Sequence, residues 1–226
     1  MDKYCSFVYI LNLEDGLALE EFSELFHRTN RKEKVLSFHH KMDQDMALAG
    51  DILTRKVVTK HLGILQEYVI IDYNKYGKPF VKNRPDFYYN ISHKGNTIVL
   101  ATSNRCIGID IEPIQMPNEM VINYCYTKEE KERIHGAVSA AYEYTQLWTL
   151  KESYVKNIGV GMNYPLKKVC FIFDKELRMY KLLGLDNYSF LTLNFDNYLV
   201  SLCICENYNV QCKVSLIRMS KELLMM

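Results

Sequence analysis

Phe87-Tyr-Tyr-Asn-Ile-Ser92, Thr97-Ile-Val-Leu-Ala-Thr102 and Cys106-Ile-Gly-Ile-Asp-Ile-Glu112 are three strand-length runs in close succession. β-Branched and aromatic residues dominate them, the composition of a pleated, half-buried surface. Only His93-Lys-Gly-Asn96 separates the first two, which predicts a hairpin connection; together the three predict a sheet core. Upstream, a short strand around Phe7-Val-Tyr-Ile-Leu11 is followed by helical spacing of Leu17, Leu19, Phe22, Leu25 and Phe26 between Leu13 and Arg28. The basic segment Arg31-Lys-Glu-Lys34 then leads to a second helix from about Asp43 to His61, with Met46, Ile52, Leu53 and Val57 inward and Gly63 as its stop. Tyr68-Val-Ile-Ile-Asp72 reads as a strand and Tyr76-Gly-Lys-Pro79 as a turn that presents Lys78.

Downstream of Pro113 and Pro117 the pattern returns to helix. Thr127 with Glu130 makes a capping box, and a longer helix runs from about Ser139 to Lys156 until Gly159 and Gly161 end it. The last third holds β-prone runs at Val169 to Phe173, Tyr188 to Phe195, Tyr198 to Cys205 and Val210 to Arg218. Helices followed by strands, twice over, predict an α+β protein of two similar halves, 1–104 and 105–226, with a boundary near Arg105. A faint internal echo between 95–104 and 196–205, each a β-prone run opened by a turn, fits that division.

The 226 residues carry 28 Lys+Arg against 27 Asp+Glu, a formal charge of +1, so the overall balance does not argue for nucleic acid or a membrane surface as partner. An apolar content of 48% with 17 tyrosines excludes a disordered chain. The seven cysteines are odd in number and have no framework spacing, which suits reduced thiols and a cytoplasmic location. Cys203 and Cys205 lie in an apolar, strand-length run and read as core thiols rather than zinc ligands. No segment is apolar for long enough to span a bilayer.

Asp110 and Glu112 are two apart on a strand, so both carboxylates leave the same face and can share a cation. That pattern alone is more often a solvent-facing strand edge. Trp148, Glu152 and Lys156 fall four apart on one helical stripe. Taken alone, Glu152 and Lys156 make an ordinary surface ion pair contributing about 0.2–0.5 kcal/mol. Magnesium takes one or two carboxylates plus waters and substrate phosphate oxygens, a set that Asp110, Glu112 and Glu152 could supply. The chain has no G-x-S-x-G, no P-loop and no G-x-G-x-x-G, so a hydrolase triad and the common nucleotide loops are poor explanations. Phosphate binding would then fall to side chains such as Arg31, Lys34, Lys78 and Lys151.

Taken in order, Tyr76-Gly-Lys-Pro79, Asn90-Ile-Ser-His93, Ile107-Gly-Ile-Asp-Ile-Glu112 and Trp148-Thr-Leu-Lys-Glu-Ser-Tyr-Val-Lys156 resemble the signature blocks of Sfp-type 4′-phosphopantetheinyl transferases. G-I-D-x-E and W-x-x-K-E-x-x-x-K are the specific ones, and the similarity runs from about Arg31 to Leu166. The resemblance implies a pseudodimer of two α+β halves with the active site in the cleft between them. It implies magnesium-dependent transfer of 4′-phosphopantetheine from coenzyme A to a serine of an acyl or peptidyl carrier protein, with 3′,5′-ADP leaving.

By position, the resemblance makes Asp110, Glu112 and Glu152 the metal ligands, Glu152 also the proton acceptor, and Lys156 the group that neutralises phosphate charge. It puts His93, Ser92, Asn90, Lys151, Arg31 and Lys34 at the coenzyme A phosphates, and Tyr76, Gly77, Lys78 and Pro79 on the adenine and 3′-phosphate side. Met46 departs from the pattern, because many relatives carry an arginine for the 3′-phosphate there. Exposed apolar residues between Met116 and Tyr126 are candidates for carrier docking, and fused halves imply a monomer. The rival readings are a binding module without turnover and a different magnesium phosphotransferase.

Overall fold

The computed structural model describes residues 5–13, 35–161, 164–206 and 213–220. The expected first helix, 13–28, lies almost wholly outside them, as do Arg31 and Lys34. The described elements begin with β1 (Cys5–Asn12), α1 (Lys41–Leu62), the small hairpin β2 (Ile71–Tyr73) and β3 (Pro79–Val81), and the longer hairpin β4 (Tyr88–Lys94) and β5 (Thr97–Ser103). After β6 (Ile107–Pro113) come α2 (Glu119–Cys125), α3 (Lys128–Gly136) and α4 (Ala140–Ile158). The small hairpin β7 (Phe171–Asp174) and β8 (Met179–Leu182), the longer hairpin β9 (Ser189–Phe195) and β10 (Tyr198–Ile204), and β11 (Lys213–Met219) follow.

Two sheets organise these elements. One runs β11-β1-β5-β4 and the other β6-β10-β9. Within each sheet the hairpin's second strand sits between its partner and the strand that opens the half. β11 pairs with β1 in parallel, so the last described strand joins the sheet of the N-terminal half. The core has three parts. Tyr9, Leu11, Ile98 and Leu100 pack beneath α1 with Met46, Leu48, Ile52 and Leu53. Leu147, Leu150 and Tyr154 of α4 pack with Ile122, Phe171 and Phe190. Between the sheets, Val8, Ile10, Val99 and Ala101 meet Ile107, Ile109, Ile111, Val200 and Leu202. Each large aliphatic side chain buried there contributes about 1.5–3 kcal/mol, so the halves are joined by a core and not by a linker.

Local signals are largely obeyed. Gly63 ends α1 in the left-handed region at φ 63°, its N–H donating to the Thr59 carbonyl. The Thr127/Glu130 capping box forms at the start of α3, and Ser139 caps α4. Two departures have local causes. The run expected as a strand from Tyr68 starts as a 3-10 turn over Gln66–Tyr68, and only Ile71–Tyr73 is strand. The Val69 N–H bonds back to the Gln66 carbonyl and so cannot join a ladder. In the β4–β5 hairpin, His93 and Lys94 remain in the strand; Lys94 faces Thr97, leaving Gly95-Asn96 as the turn. Cys203 is fully buried, as expected of a core thiol, whereas Cys205 is half-exposed.

Candidate functional site

The site begins with a glycine. A Cβ on Gly108 would lie 2.0 Å from the Ser153 carbonyl oxygen and 2.4 Å from the Asn157 nitrogen, so α4 rests directly on the β6 backbone. Asp110 and Glu112 continue the same face of β6. The Lys156 ammonium donates to Asp110 Oδ1 at 2.6 Å and to Ser92 Oγ at 2.8 Å, and the Ser92 hydroxyl donates to Asp110 Oδ1 at 3.0 Å. Ser92 belongs to β4 of the first sheet, so this knot ties the two halves together. Its neighbour Asn90 also crosses the junction, accepting from the Ile109 N–H at 2.8 Å.

Around the knot lies a cleft of about 400 Å³. Tyr76 to Pro79, Asn90 to Lys94, Asp110 to Glu112 and the stripe of Trp148, Glu152 and Lys156 all line it. The spacing of that stripe therefore predicted a real surface. Burial pushes the Glu152 carboxyl up, with Asp110 and then Glu112 adding to the shift and Lys156 opposing it. His93, at the rim, is held below its ordinary value by partial desolvation and by Lys156 and Lys94, against an opposing pull from Asp43 at the start of α1.

The three acidic residues thus share one wall and feel one another's charge. Among the described residues, however, no three His, Cys, Asp or Glu side chains stand as a ready-made metal shell. Lys156 holds one oxygen of Asp110, and Lys94, which sequence reasoning passed over, sits 2.8 Å from Glu112 Oε2. Asp110 Oδ2 is buried and has no hydrogen-bond partner. An orphaned carboxylate oxygen in an all-oxygen, mutually repelling set fits a hard divalent cation.

Two expected ligands sit elsewhere. Lys151 is fully buried: its ammonium is 2.8 Å from Glu130 Oε2, donates to the Leu166 carbonyl at 3.1 Å and also bonds the Val169 carbonyl. Enclosed on the far side of α4, it cannot reach a ligand in the cleft, which corrects its assignment to the coenzyme phosphates. Tyr144, Leu147 and Tyr154 share its face, and that apolar stripe is the sequence signal that could have shown it. Lys78 lines the cleft with its stem, but its ammonium donates to the carbonyls of Ile107 and Asn157 at 3.0 and 2.7 Å. Met46 is 3% exposed and packs in the core beneath α1.

Comparison with known proteins follows the same division of the chain. The family model described as 4′-phosphopantetheinyl transferase, N-terminal, matches residues 19–105, and that of the 4′-phosphopantetheinyl transferase superfamily matches 106–203. The Sfp 4′-phosphopantetheinyl transferase of Bacillus subtilis strain 168 is 30% identical over 164 residues, 70% of this chain and 73% of that protein. The chain belongs to the Sfp-type 4′-phosphopantetheinyl transferases. Another Bacillus subtilis 4′-phosphopantetheinyl transferase is 34% identical over 139 residues, 60% of this chain and 62% of its own length. The mouse L-aminoadipate-semialdehyde dehydrogenase-phosphopantetheinyl transferase is 33% identical over 62% of this chain and 50% of its own. Among solved structures, the Bacillus anthracis holo-(acyl-carrier-protein) synthase in complex with CoA overlays loosely on 45% of this transferase and 95% of that chain, at 17% identity and a TM-score of 0.39.

Proposed function

We propose that this transferase moves 4′-phosphopantetheine from coenzyme A to a serine of an acyl or peptidyl carrier protein and releases 3′,5′-ADP. One observation carries the reading: side chains from both halves meet around Asp110, whose second oxygen is buried without a partner in a cleft lined by all four signature blocks. Asp110, Glu112 and Glu152 would hold magnesium, which when bound supplies positive charge against the diphosphate. Glu152, on the cleft wall, is placed to accept the proton of the carrier serine as its oxygen attacks the β-phosphorus. The bond from that phosphorus to the ADP oxygen breaks, and 3′,5′-ADP leaves with the electron pair. Lys156 sits where it can turn from Asp110 to the phosphate oxygens and neutralise the charge that grows there. His93 and Lys94, with the turn Tyr76 to Pro79, line the remaining cleft as coenzyme contacts.

The division into a coenzyme-side half, 1–104, and a half bearing the metal and catalytic residues, 105–226, is part of this reading. So are a single working chain and a cytoplasmic setting. Among the described residues, no helix is long and apolar enough to cross a membrane. For the carrier, we place docking on α2 and the loop before it, where Met116, Met120 and Tyr124 are 78%, 80% and 82% exposed. Lys128, Lys131 and Lys167 line a depression beside Tyr126 and offer positive charge to an acidic helical partner.

The test is mass spectrometry of an apo carrier domain mixed with the protein, coenzyme A and magnesium. A gain of one phosphopantetheine is expected; it disappears with chelator and returns with added magnesium. In Asp110→Ala and Glu152→Ala the gain is lost while the far-UV circular dichroism stays native. Absence of any gain across acyl and peptidyl carriers would refute the proposal, and normal turnover in either variant would refute the site.

A further inference from the structure

One amine from the first half touches both elements that carry the acidic cluster. Lys78, in the turn between β2 and β3, donates to the carbonyl of Ile107 on β6 and to that of Asn157 on α4, at 3.0 and 2.7 Å. Ile107 stands three residues before Asp110, and Asn157 directly follows Lys156. Beside it, Asn74 plays two parts. Its Oδ1 accepts from the N–H groups of Tyr76 and Lys78, both at 2.9 Å, which closes the turn, while its Nδ2 donates to the Gly159 carbonyl at 2.9 Å. Asn157 returns the link, its Nδ2 donating to the carbonyls of Cys106 and Cys203 at 2.9 and 2.8 Å.

These bonds meet a specific need. The last carbonyls of a helix have no partner within it, and a cation there also suits the helix dipole. Asn157 and Gly159 stand at that end of α4, and their carbonyls are taken by Lys78 and Asn74. Room is tight as well. Gly159 has φ 67°, and a Cβ on it would lie 2.9 Å from Lys78 Cδ and 3.1 Å from Asn74 Nδ2.

We propose that Lys78 and Asn74 form a clasp whose role in transfer is positioning: together they fix the spacing of β6 against α4, and so the meeting of Asp110 with Lys156 and Glu152. The clasp rests on the transfer reaction proposed above. It differs from the resemblance, in which Lys78 is a contact of the coenzyme. A displacement of the acidic cluster by about 1 Å would suffice to cost a large part of the rate.

Lys78→Met and Asn74→Ala, singly and combined in the full chain, separate the two roles. Coenzyme A affinity is measured by calorimetry without carrier, turnover with carrier, and amide exchange at the end of α4 by mass spectrometry. A clasp predicts that the Kd for coenzyme A changes by less than about threefold in each variant, because no ligand contact is lost. At the same time kcat falls about 100-fold in Lys78→Met and about tenfold in Asn74→Ala, and the double variant is little worse than Lys78→Met, since both act on one spacing. Lys82→Met, an exposed lysine following β3, keeps wild-type values. A tenfold weaker Kd for coenzyme A with kcat retained in Lys78→Met would make Lys78 a ligand and overturn the clasp. Unchanged kcat in Asn74→Ala would overturn it too, and this variant removes no charge. If the wild-type protein modifies no carrier, the transfer reading fails on its own; the clasp is then judged by exchange at residues 156–159, which must quicken in both variants for it to stand.

Discussion

The two halves of this transferase repeat one plan and use it for opposite purposes. Each opens with a strand, follows it with a helix and a small hairpin, and closes with a longer hairpin whose second strand enters the middle of the sheet, giving β1-β5-β4 in one half and β6-β10-β9 in the other. Both longer hairpins turn on two residues, Gly95-Asn96 and Asp196-Asn197, with Lys94 facing Thr97 and Phe195 facing Tyr198. The faces toward the helices differ completely. In the first half Tyr9 and Leu11 of β1 meet an apolar α1, whereas in the second Gly108, Asp110 and Glu112 of β6 meet the stripe of Glu152 and Lys156. The first arrangement is core and stabilises; the second leaves charge in a cleft and carries chemistry. A shared apolar layer between the sheets lets one half support the strain of the other.

The sharpest way to break the comparison is to remove what lets the second half tolerate its charges. Lys151 and Glu130 are fully buried, and Glu130 also accepts from the N–H groups of Thr127 and Phe171, so the pair joins α3, α4 and β7. Lys151→Met leaves Glu130 charged and enclosed, at an expected loss of about 3–5 kcal/mol in urea unfolding. Coenzyme A affinity in the surviving folded protein should be unchanged. Adding Glu130→Gln should recover part of the loss, because the stranded charge is then gone. Wild-type stability with weakened coenzyme A binding would return Lys151 to the list of ligands.

A smaller but still large effect is expected at Gly108, the position where β6 departs most from β1. The added methyl of Gly108→Ala meets backbone on both sides, the Ser153 carbonyl and the Asn157 nitrogen, and backbone cannot turn aside as a long side chain can. Lifting α4 from β6 should cost about 3 kcal/mol by overpacking, seen as a lower midpoint of thermal unfolding, and should separate Lys156 from Asp110 and so abolish carrier modification. An alanine variant with native melting and native turnover would show that the helix has more room than this geometry gives it.

What could be read from the sequence followed from periodicity. The period of two placed Asp110 and Glu112 on one face, the period of 3.6 placed Trp148, Glu152 and Lys156 on one stripe, and Gly63 and Gly159 marked the helix ends. What could not be read depends on partners distant in the chain. Lys94 finds Glu112 across the junction of the halves, and Lys78 finds carbonyls at Ile107 and Asn157. Lys151 was misjudged because adjacency to Glu152 suggested a shared task. Neighbours on a helix point about 100° apart, and that rotation takes one into the cleft and the other into the core.

Met46 gives the finest test of how far the halves have diverged. Resemblance made it a lost phosphate ligand; the structure puts its side chain among Leu48, Ile52 and Leu53, on the apolar side of α1. A core position accepts a change of shape at constant volume, so Met46→Leu should cost less than about 1.5 kcal/mol and leave the KM for coenzyme A unaltered. Met46→Arg distinguishes the two accounts by sign. An arginine that reached the cleft would tighten coenzyme A binding, whereas one forced to bury its charge beneath α1 would lower stability without tightening it. Lower stability and unimproved affinity are expected, because the exposed face of this stretch belongs to Lys41, Met42 and Asp43, and it is Asp43, not residue 46, whose charge reaches His93 at the rim of the cleft.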